Sequence, residues 1–198
     1  DYLGKGAIIY KNGENKIVAN RAKADDNYLY SEKGVNGWKV SHLTTTLEGT
    51  QFIATHGTKI VKARTKLIGR HVVGVTVAAI AIADSLGLTT HQIEAGLAKI
   101  RPFEHRMEPR KLHGAWIVDD TYNGNSDGVV AGLKLLKVTQ ATRRIYVTPG
   151  LVEQGDKTKE VHELIGRLAA RSADMVVLMK NSVTDYIVAG LQHERFAG

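Results

Sequence analysis

After Pro102 the chain stops alternating residue by residue and begins alternating element by element. Trp116–Asp119 reads as a strand, Ser126 to Lys137 as a helix, and Arg144–Thr148 as a second strand. A helix from about Lys157 to Arg171, a strand over Met175–Met179 and a helix over Val183–Leu191 complete the series. Strands separated by helices return through right-handed crossovers, so the expected product is an α/β layer with a parallel sheet and flanking helices. Few other architectures accept this order.

The part before Pro102 has a different period. Residues 1–67 read as β-rich, with strands over Ala7–Tyr10, Lys16–Asn20, Tyr28–Tyr30, Trp38–Leu47, Thr50–Thr55 and Lys59–Leu67. Asn-Gly, Asp-Asp, Lys-Gly and His-Gly pairs punctuate them, and Glu48-Gly49 between two Thr-rich runs suggests a hairpin. Two helices follow. His71 to Leu86 is apolar nearly all round and stops at Gly87, a natural C′ residue. Thr89, with Gln92 three residues on, opens the next helix as a capping box, and Pro102 closes it after Ile100. The change of pattern places a domain boundary near residues 101–105.

Composition narrows the function classes. With 43% hydrophobic and 24% charged residues, the 198-residue chain is an ordinary globular one. It has no cysteine, which excludes a disulfide scaffold, thiolate zinc sites and a thiol nucleophile. No apolar run reaches the roughly 20 residues that span a bilayer, and no signal-peptide pattern opens the chain. The expectation is a cytoplasmic protein, and a start at Asp1 suggests a piece of something longer. The net charge of +7 is uneven: residues 1–100 carry 13 Lys and Arg against 8 Asp and Glu. Lys62, Arg64 and Lys66 alternate with Val61, Ala63, Thr65 and Leu67, the period of a half-buried strand with a solvated basic face. No aromatic residues interleave as a base-stacking platform requires, so no nucleic acid is expected as partner.

One stretch concentrates polar chemistry. Asp119-Asp120-Thr121-Tyr122-Asn123-Gly124-Asn125-Ser126-Asp127-Gly128 fills the turn between the apolar run Ala115–Val118, read as a buried strand, and a helix carrying Val129, Val130, Leu133 and Leu136. Open α/β sheets bind ligands beyond the carboxyl ends of their strands. A helix start adds unpaired N–H groups and a positive dipole end, both suited to phosphate. The same residues equally suit a plain polar turn with a helix cap.

Asp119 to Asp127 resembles the Asp-Asp-Ser-Tyr-Asn-Ala-Asn-Pro-Asp segment of the Mur ligases, in particular the MurF-type branch. Four more stretches agree in order and spacing. Gly69-Arg70-His71 with Ala78-Ala79 resembles the family's Gly-x-His-Asn…Ala-Ala helix, and Arg106-Met107-Glu108 its Gly-Arg-Met-Glu. Leu151-Val152-Glu153-Gln154-Gly155 resembles Met-x-Glu-Leu-Gly, and His162 to Gly166 resembles His-x-x-x-Gly. The likeness is firm over about residues 67–192.

What the resemblance implies is a fold and a set of roles. Residues 1–101 would be the C-terminal part of the family's central ATPase domain, a β-rich plus two-helix remainder. Residues 102–198 would be its Rossmann-like C-terminal domain, cut short after the third strand. Mur ligases join a carboxylate to an amine with ATP and Mg, through an acyl phosphate. By this likeness Asp120 would bond the ATP ribose and Arg106, at the hinge, would reach the phosphates as the catalytic cation. Tyr122, Asn123 and Asn125 would line the nucleotide and amine side of the cleft, and His71 would sit near the nucleotide. Partners would be a UDP-MurNAc-peptide and an amino acid or dipeptide such as D-Ala-D-Ala, in peptidoglycan precursor synthesis.

Plain structural readings stand beside these roles. His71 suits a half-buried histidine at a helix start, Arg106 a surface pair with Glu104 or Glu108, and Asp119 a turn-orienting group. Glu153 and His162 suit a turn bond and a helix-face histidine. There are also departures. Val72 and Val75 stand where the family has Asn, and a valine cannot replace an amide's hydrogen bonds. His105 stands where it has Gly, and Pro149-Gly150 replaces Gly-Asp. No Gly-x-x-x-x-Gly-Lys-Ser/Thr loop occurs, so the phosphate cradle, the Mg ligands and the substrate-binding domain are expected upstream, and no residue here is assigned to metal. The chain alone is expected to be inactive in ligation. The alternative is a non-catalytic Mur-type module that binds a peptide, nucleotide or partner protein.

Overall fold

The computed structural model describes residues 6–20 and 26–198. They form a mixed α/β protein in two compact units. The first holds the chain up to Phe103 together with Met107–Val118, and the second holds Glu104–Arg106 with Asp119–Gly198.

The first unit is built on an antiparallel sheet in the order β3 (Gly34–Val35), β4 (Trp38–Thr46), β5 (Gly49–His56), β6 (Lys59–Thr65). Two-residue turns set the register, with Thr46 opposite Gly49 and His56 opposite Lys59. Alternation then sorts the side chains: Val61, Ala63 and Thr65 of β6 are buried while Lys62 and Arg64 are exposed. Helix α2 (Val72–Ser85) lays Val73, Val77, Ile80 and Ala81 on the inner face against Trp38, Phe52, Ala54 and Val61. Helix α3 (Thr90–Lys99) adds Ile93 and Leu97.

Both helix ends are closed as their sequences require. Gly87 takes φ +84, and the amides of Gly87 and Leu88 bond the carbonyls of Asp84 and Ala83, a Schellman motif. Thr89 and Gln92 form the reciprocal capping box. A parallel pair, β1 (Ile8–Asn12) with β2 (Asp26–Tyr30), completes the unit's core side through Tyr10, Tyr28 and Tyr30. Gly74 lets α2 approach it, because a Cβ there would lie 3.2 Å from the Ser31 backbone.

Three local readings are corrected. Lys16–Asn20 is a single helical turn, α1, and not a strand. The Asn15 side-chain oxygen accepts the amides of Ile17 and Val18, each at 3.1 Å, so a local cap overrides the β preference of the Ile-Val pair. The turn read at Asp25-Asp26 lies partly outside the described residues.

The second correction concerns the strand before the polar turn. β8 (Ala115–Asp119) pairs with β7 (Glu108–Leu112), a strand without an obvious sequence signal. They form a hairpin through His113 and Gly114, at φ 48 and 84. Third, β8 is a strand but not a buried one: Trp116, Ile117 and Val118 are 39%, 45% and 36% exposed. Its sheet partner is polar, so pairing does not bring burial.

In the second unit β9 (Ile145–Thr148) and β10 (Met175–Leu178) pair in parallel, with Ile145 opposite Met175 and Thr148 opposite Leu178. The parallel ladder thus joins the second and third expected strands, and helices α4 (Ser126–Val138), α5 (Thr158–Ala170) and α6 (Thr184–His193) flank it in a Rossmann-like layer. A 3-10 turn, Gly155–Lys157, leads into α5. Leu133, Ile165, Ala169 and Ile187 are buried. Helices α5 and α6 cross at Gly166 and Gly190, where added Cβ atoms would fall 2.1 and 2.2 Å from the carbonyls of Ile187 and Glu163. Among the described residues no helix is long and apolar enough to cross a membrane.

Candidate functional site

The polar turn leaves β8 at Asp119, and its first carboxylate is absorbed locally. Asp119 Oδ1 accepts the Thr121 amide at 3.2 Å and the Thr121 hydroxyl at 2.8 Å. Its Oδ2 lies 2.8 Å from His105 Nδ1. The His105 hydrogen bond first, then the Thr121 hydroxyl, hold the Asp119 carboxyl below the usual aspartate range. His105 itself sits at φ +60, a left-handed conformation that glycine adopts at no steric cost. That explains a glycine in the resembling motif. Here an imidazole fills the position and ties the segment to Asp119.

The same segment reaches the turn twice more. The Tyr122 amide donates to the His105 carbonyl at 3.2 Å. Arg106 Nη1 donates to the Asn123 carbonyl at 2.8 Å, and its guanidinium carbon stands 4.7 Å from the centre of the Tyr122 ring. A cation over an aromatic face is attracted by the ring quadrupole, so Tyr122 and Asn123 aim Arg106 as much as Arg106 orders them. Arg106, Tyr122 and Asn123 are therefore one cluster. Asn125 closes the turn as the N-cap of α4, its Oδ1 accepting the Gly128 amide at 2.8 Å.

Asp120 lies close to β9. Burial pushes the Tyr146 phenol up, a hydrogen bond with Thr148 pulls it down, and the nearby Asp120 charge pushes it up again. Tyr146 gave no signal in the sequence beyond a place in a strand. Asp120 directly follows β8, at the start of the polar turn. The loop after β9 is held from two sides. Asn181 Nδ2 donates to the Pro149 carbonyl at 2.5 Å, and the Leu151 amide donates to His162 Nε2 at 2.9 Å.

The remaining candidate is His71. It belongs to the first unit, just before α2, with no side-chain capping bond, and its ring packs over Gly69. Its neighbour Arg70 makes a bidentate pair with Glu32 at 3.1 Å for both bonds. Val72 is buried and Val75 is 52% exposed on the same helix. A cleft of about 350 Å³ in the first unit, lined by Thr44, Thr46, Gln51, Arg64 and Lys66 among others, contains none of the candidate residues.

Comparison with known proteins gives the cluster a context. No family model matches the chain. A UDP-N-acetylmuramoyl-tripeptide–D-alanyl-D-alanine ligase from Synechocystis sp. is 30% identical over 193 residues, covering 92% of this chain and 41% of the relative. The chain thus spans about two-fifths of the length of that relative. Among solved structures, the UDP-N-acetylmuramoylalanyl-D-glutamyl-2,6-diaminopimelate–D-alanyl-D-alanyl ligase from Acinetobacter baumannii superposes with a TM-score of 0.77 at 20% identity. The match covers 96% of this chain and 42% of that one. The MurF ligase from Thermotoga maritima, solved in complex with ADP, gives 0.67 at 19% identity over 82% of this chain and 37% of that one. These two likenesses bear on the fold.

Proposed function

The chain belongs to the Mur ligase family, and from that membership we propose that it is part of an ATP-dependent amide ligase that extends a UDP-MurNAc-peptide. The amine would be an amino acid or a dipeptide such as D-Ala-D-Ala, and the setting cytoplasmic synthesis of peptidoglycan precursors. Residues 1–101 take the place of the C-terminal part of the central domain, and residues 102–198 that of the C-terminal domain.

The observation that carries this reading is the Arg106, Tyr122 and Asn123 cluster beside Asp120. The residues suit a nucleotide. The Asp120 carboxylate can accept both hydroxyls of a ribose, and Arg106 supplies a fixed cation for phosphate oxygens. ATP supplies the phosphoryl group that turns the substrate carboxylate into an acyl phosphate, which the amine then attacks with loss of phosphate. Within that reaction the residues here bind and orient. Asp120 sets the ribose, Arg106 offsets negative charge on the transferring group, and Tyr122 and Asn123 keep Arg106 in place. Magnesium needs oxygen ligands that we assign to no residue of this chain, and a phosphate loop of the Gly-Lys-Ser/Thr type belongs to the rest of the ligase.

Calorimetric titration of the chain with ADP tests the proposal. Binding should be measurable, and Asp120→Ala should weaken it about 10- to 100-fold, the range of a hydrogen bond to a charged group. Lys159→Ala, on an exposed helix face, should leave it unchanged. Val72 and Val75 favour a second reading, a Mur-type module that no longer holds adenine. Absence of ADP binding by the wild-type chain would favour that module.

A further inference from the structure

His162 is completely buried on α5, and both ring nitrogens are engaged. Nε2 lies 2.9 Å from the Leu151 amide nitrogen, and Nδ1 lies 2.6 Å from the Thr158 carbonyl oxygen. A backbone amide can only donate, so Nε2 presents a bare lone pair. A carbonyl can only accept, so Nδ1 carries the proton. The two partners together select one neutral tautomer.

What that ring holds is a loop. Gly150, at φ +84, lets the chain lie directly against it, since a Cβ there would meet His162 Nε2 at 2.9 Å and the Val183 side chain at 2.6 Å. The next residue, Leu151, is 8% exposed, and its Cδ2 stands 2.6 Å from where a Cβ on Gly124 would be. Gly124 directly follows Asn123, whose carbonyl takes Arg106. A continuous path therefore runs from the buried imidazole through the Leu151 amide and methyl group to Gly124 and the Arg106 cluster. Every member of it belongs to the second unit.

We infer that His162 is a positioning residue, which as its neutral Nδ1-protonated tautomer seats Leu151 and thereby sets the Tyr122–Asn125 loop in the geometry that receives the nucleotide. The inference rests on the proposed function for its ligand, but its mechanical part can be read without one. A histidine serves here because it accepts from the loop and donates to the first turn of its own helix at once. A glutamine in its place could still accept through Oε1, whereas a phenylalanine could fill the space and do neither.

The test joins two measurements on the full 198-residue chain. Long-range ¹⁵N–¹H correlation on histidine-labelled protein should find Nε2 bare and Nδ1 protonated, and a charged ring or the opposite tautomer would overturn the inference. Amide hydrogen exchange should then rise at least 10-fold at Leu151 and across residues 122–125 in His162→Phe, and recover in His162→Gln. Should His162→Phe not fold, Leu151→Ala separates the steps. Its amide at position 151 should stay protected while residues 122–125 exchange faster. Unchanged exchange at 122–125 in these variants, or an equal rise over the whole unit, would overturn the coupling. ADP affinity, measured alongside, should fall in His162→Phe more than in His162→Gln. An equal affinity in all three proteins would overturn the positioning role. Failure of the wild type to bind ADP would overturn the nucleotide reading, with the coupling still decided by exchange.

Discussion

Asn125 caps a helix, and Asp119, as its place in the sequence suggested, orients its own turn. Asn125 Oδ1 satisfies the Gly128 amide at the start of α4. Replacing it with alanine leaves that donor to water and should cost about 1 kcal/mol, read by urea denaturation, while Asn125→Asp should cost little. Asp119 is held ionised by His105 and Thr121. Its folded pKa is depressed, so its contribution is complete above the unfolded value and is lost as pH falls through the folded one. Asp119→Asn should remove that loss, and the difference between the two acid-denaturation profiles checks it. The carboxylate next in sequence, Asp120, lies near the Tyr146 phenol. The two adjacent aspartates thus have different surroundings, a histidine for Asp119 and a phenol for Asp120.

Among elements, the tightest fit is the crossing of α5 and α6. Gly166 and Gly190 place backbone against backbone there, so a methyl group has no flexible side chain to displace. Gly166→Ala should destabilise the second unit by about 3 kcal/mol, the upper part of the overpacking range, seen as a lower midpoint in denaturant. The far ends of the same helices are tied by Arg171, which donates to Glu194 at 2.8 and 2.7 Å. The Arg171 hydrogen bond lowers the Glu194 pKa from 4.5 to about 2. The sign follows from that depression: the pair contributes fully above about pH 4.5 and loses its contribution as pH falls toward about 2. A Tm series over that window should fall less steeply in Glu194→Gln than in the wild type. Because the pair is exposed to solvent, added salt should shrink the difference.

At the scale of the whole molecule, each unit has a core of its own. Ile80 is fully buried in the first and Ile165 in the second. Ile80→Ala and Ile165→Ala should each cost about 2–5 kcal/mol through lost burial and an unfilled cavity. Residue-resolved hydrogen exchange should place the larger loss of protection in the unit that carries the substitution. On β6, Lys59, Lys62 and Arg64 are exposed.

Patterns that close within a few residues were legible before any coordinates. The alternation of β6, the Schellman end at Gly87, the capping box at Thr89 and the strand–helix series after Pro102 depend on backbone geometry between near neighbours. The motif likeness singled out Arg106 and the Asp120–Asn125 turn for the same reason, since most of the cluster is contiguous. Other features were decided only by tertiary structure. β8 turned outward because burial depends on what packs on a strand, and its neighbour β7 is polar. Lys16–Asn20 became helical because Asn15 capped it. His105 on Asp119, Leu151 on Gly124 and His162 under Leu151 join residues 14, 27 and 11 positions apart. Nothing in the spacing announces such contacts. Local hydrogen bonds and side-chain periods are written in the order of residues; which distant groups meet depends on how the packed elements bring them together, and that choice placed the site's supports.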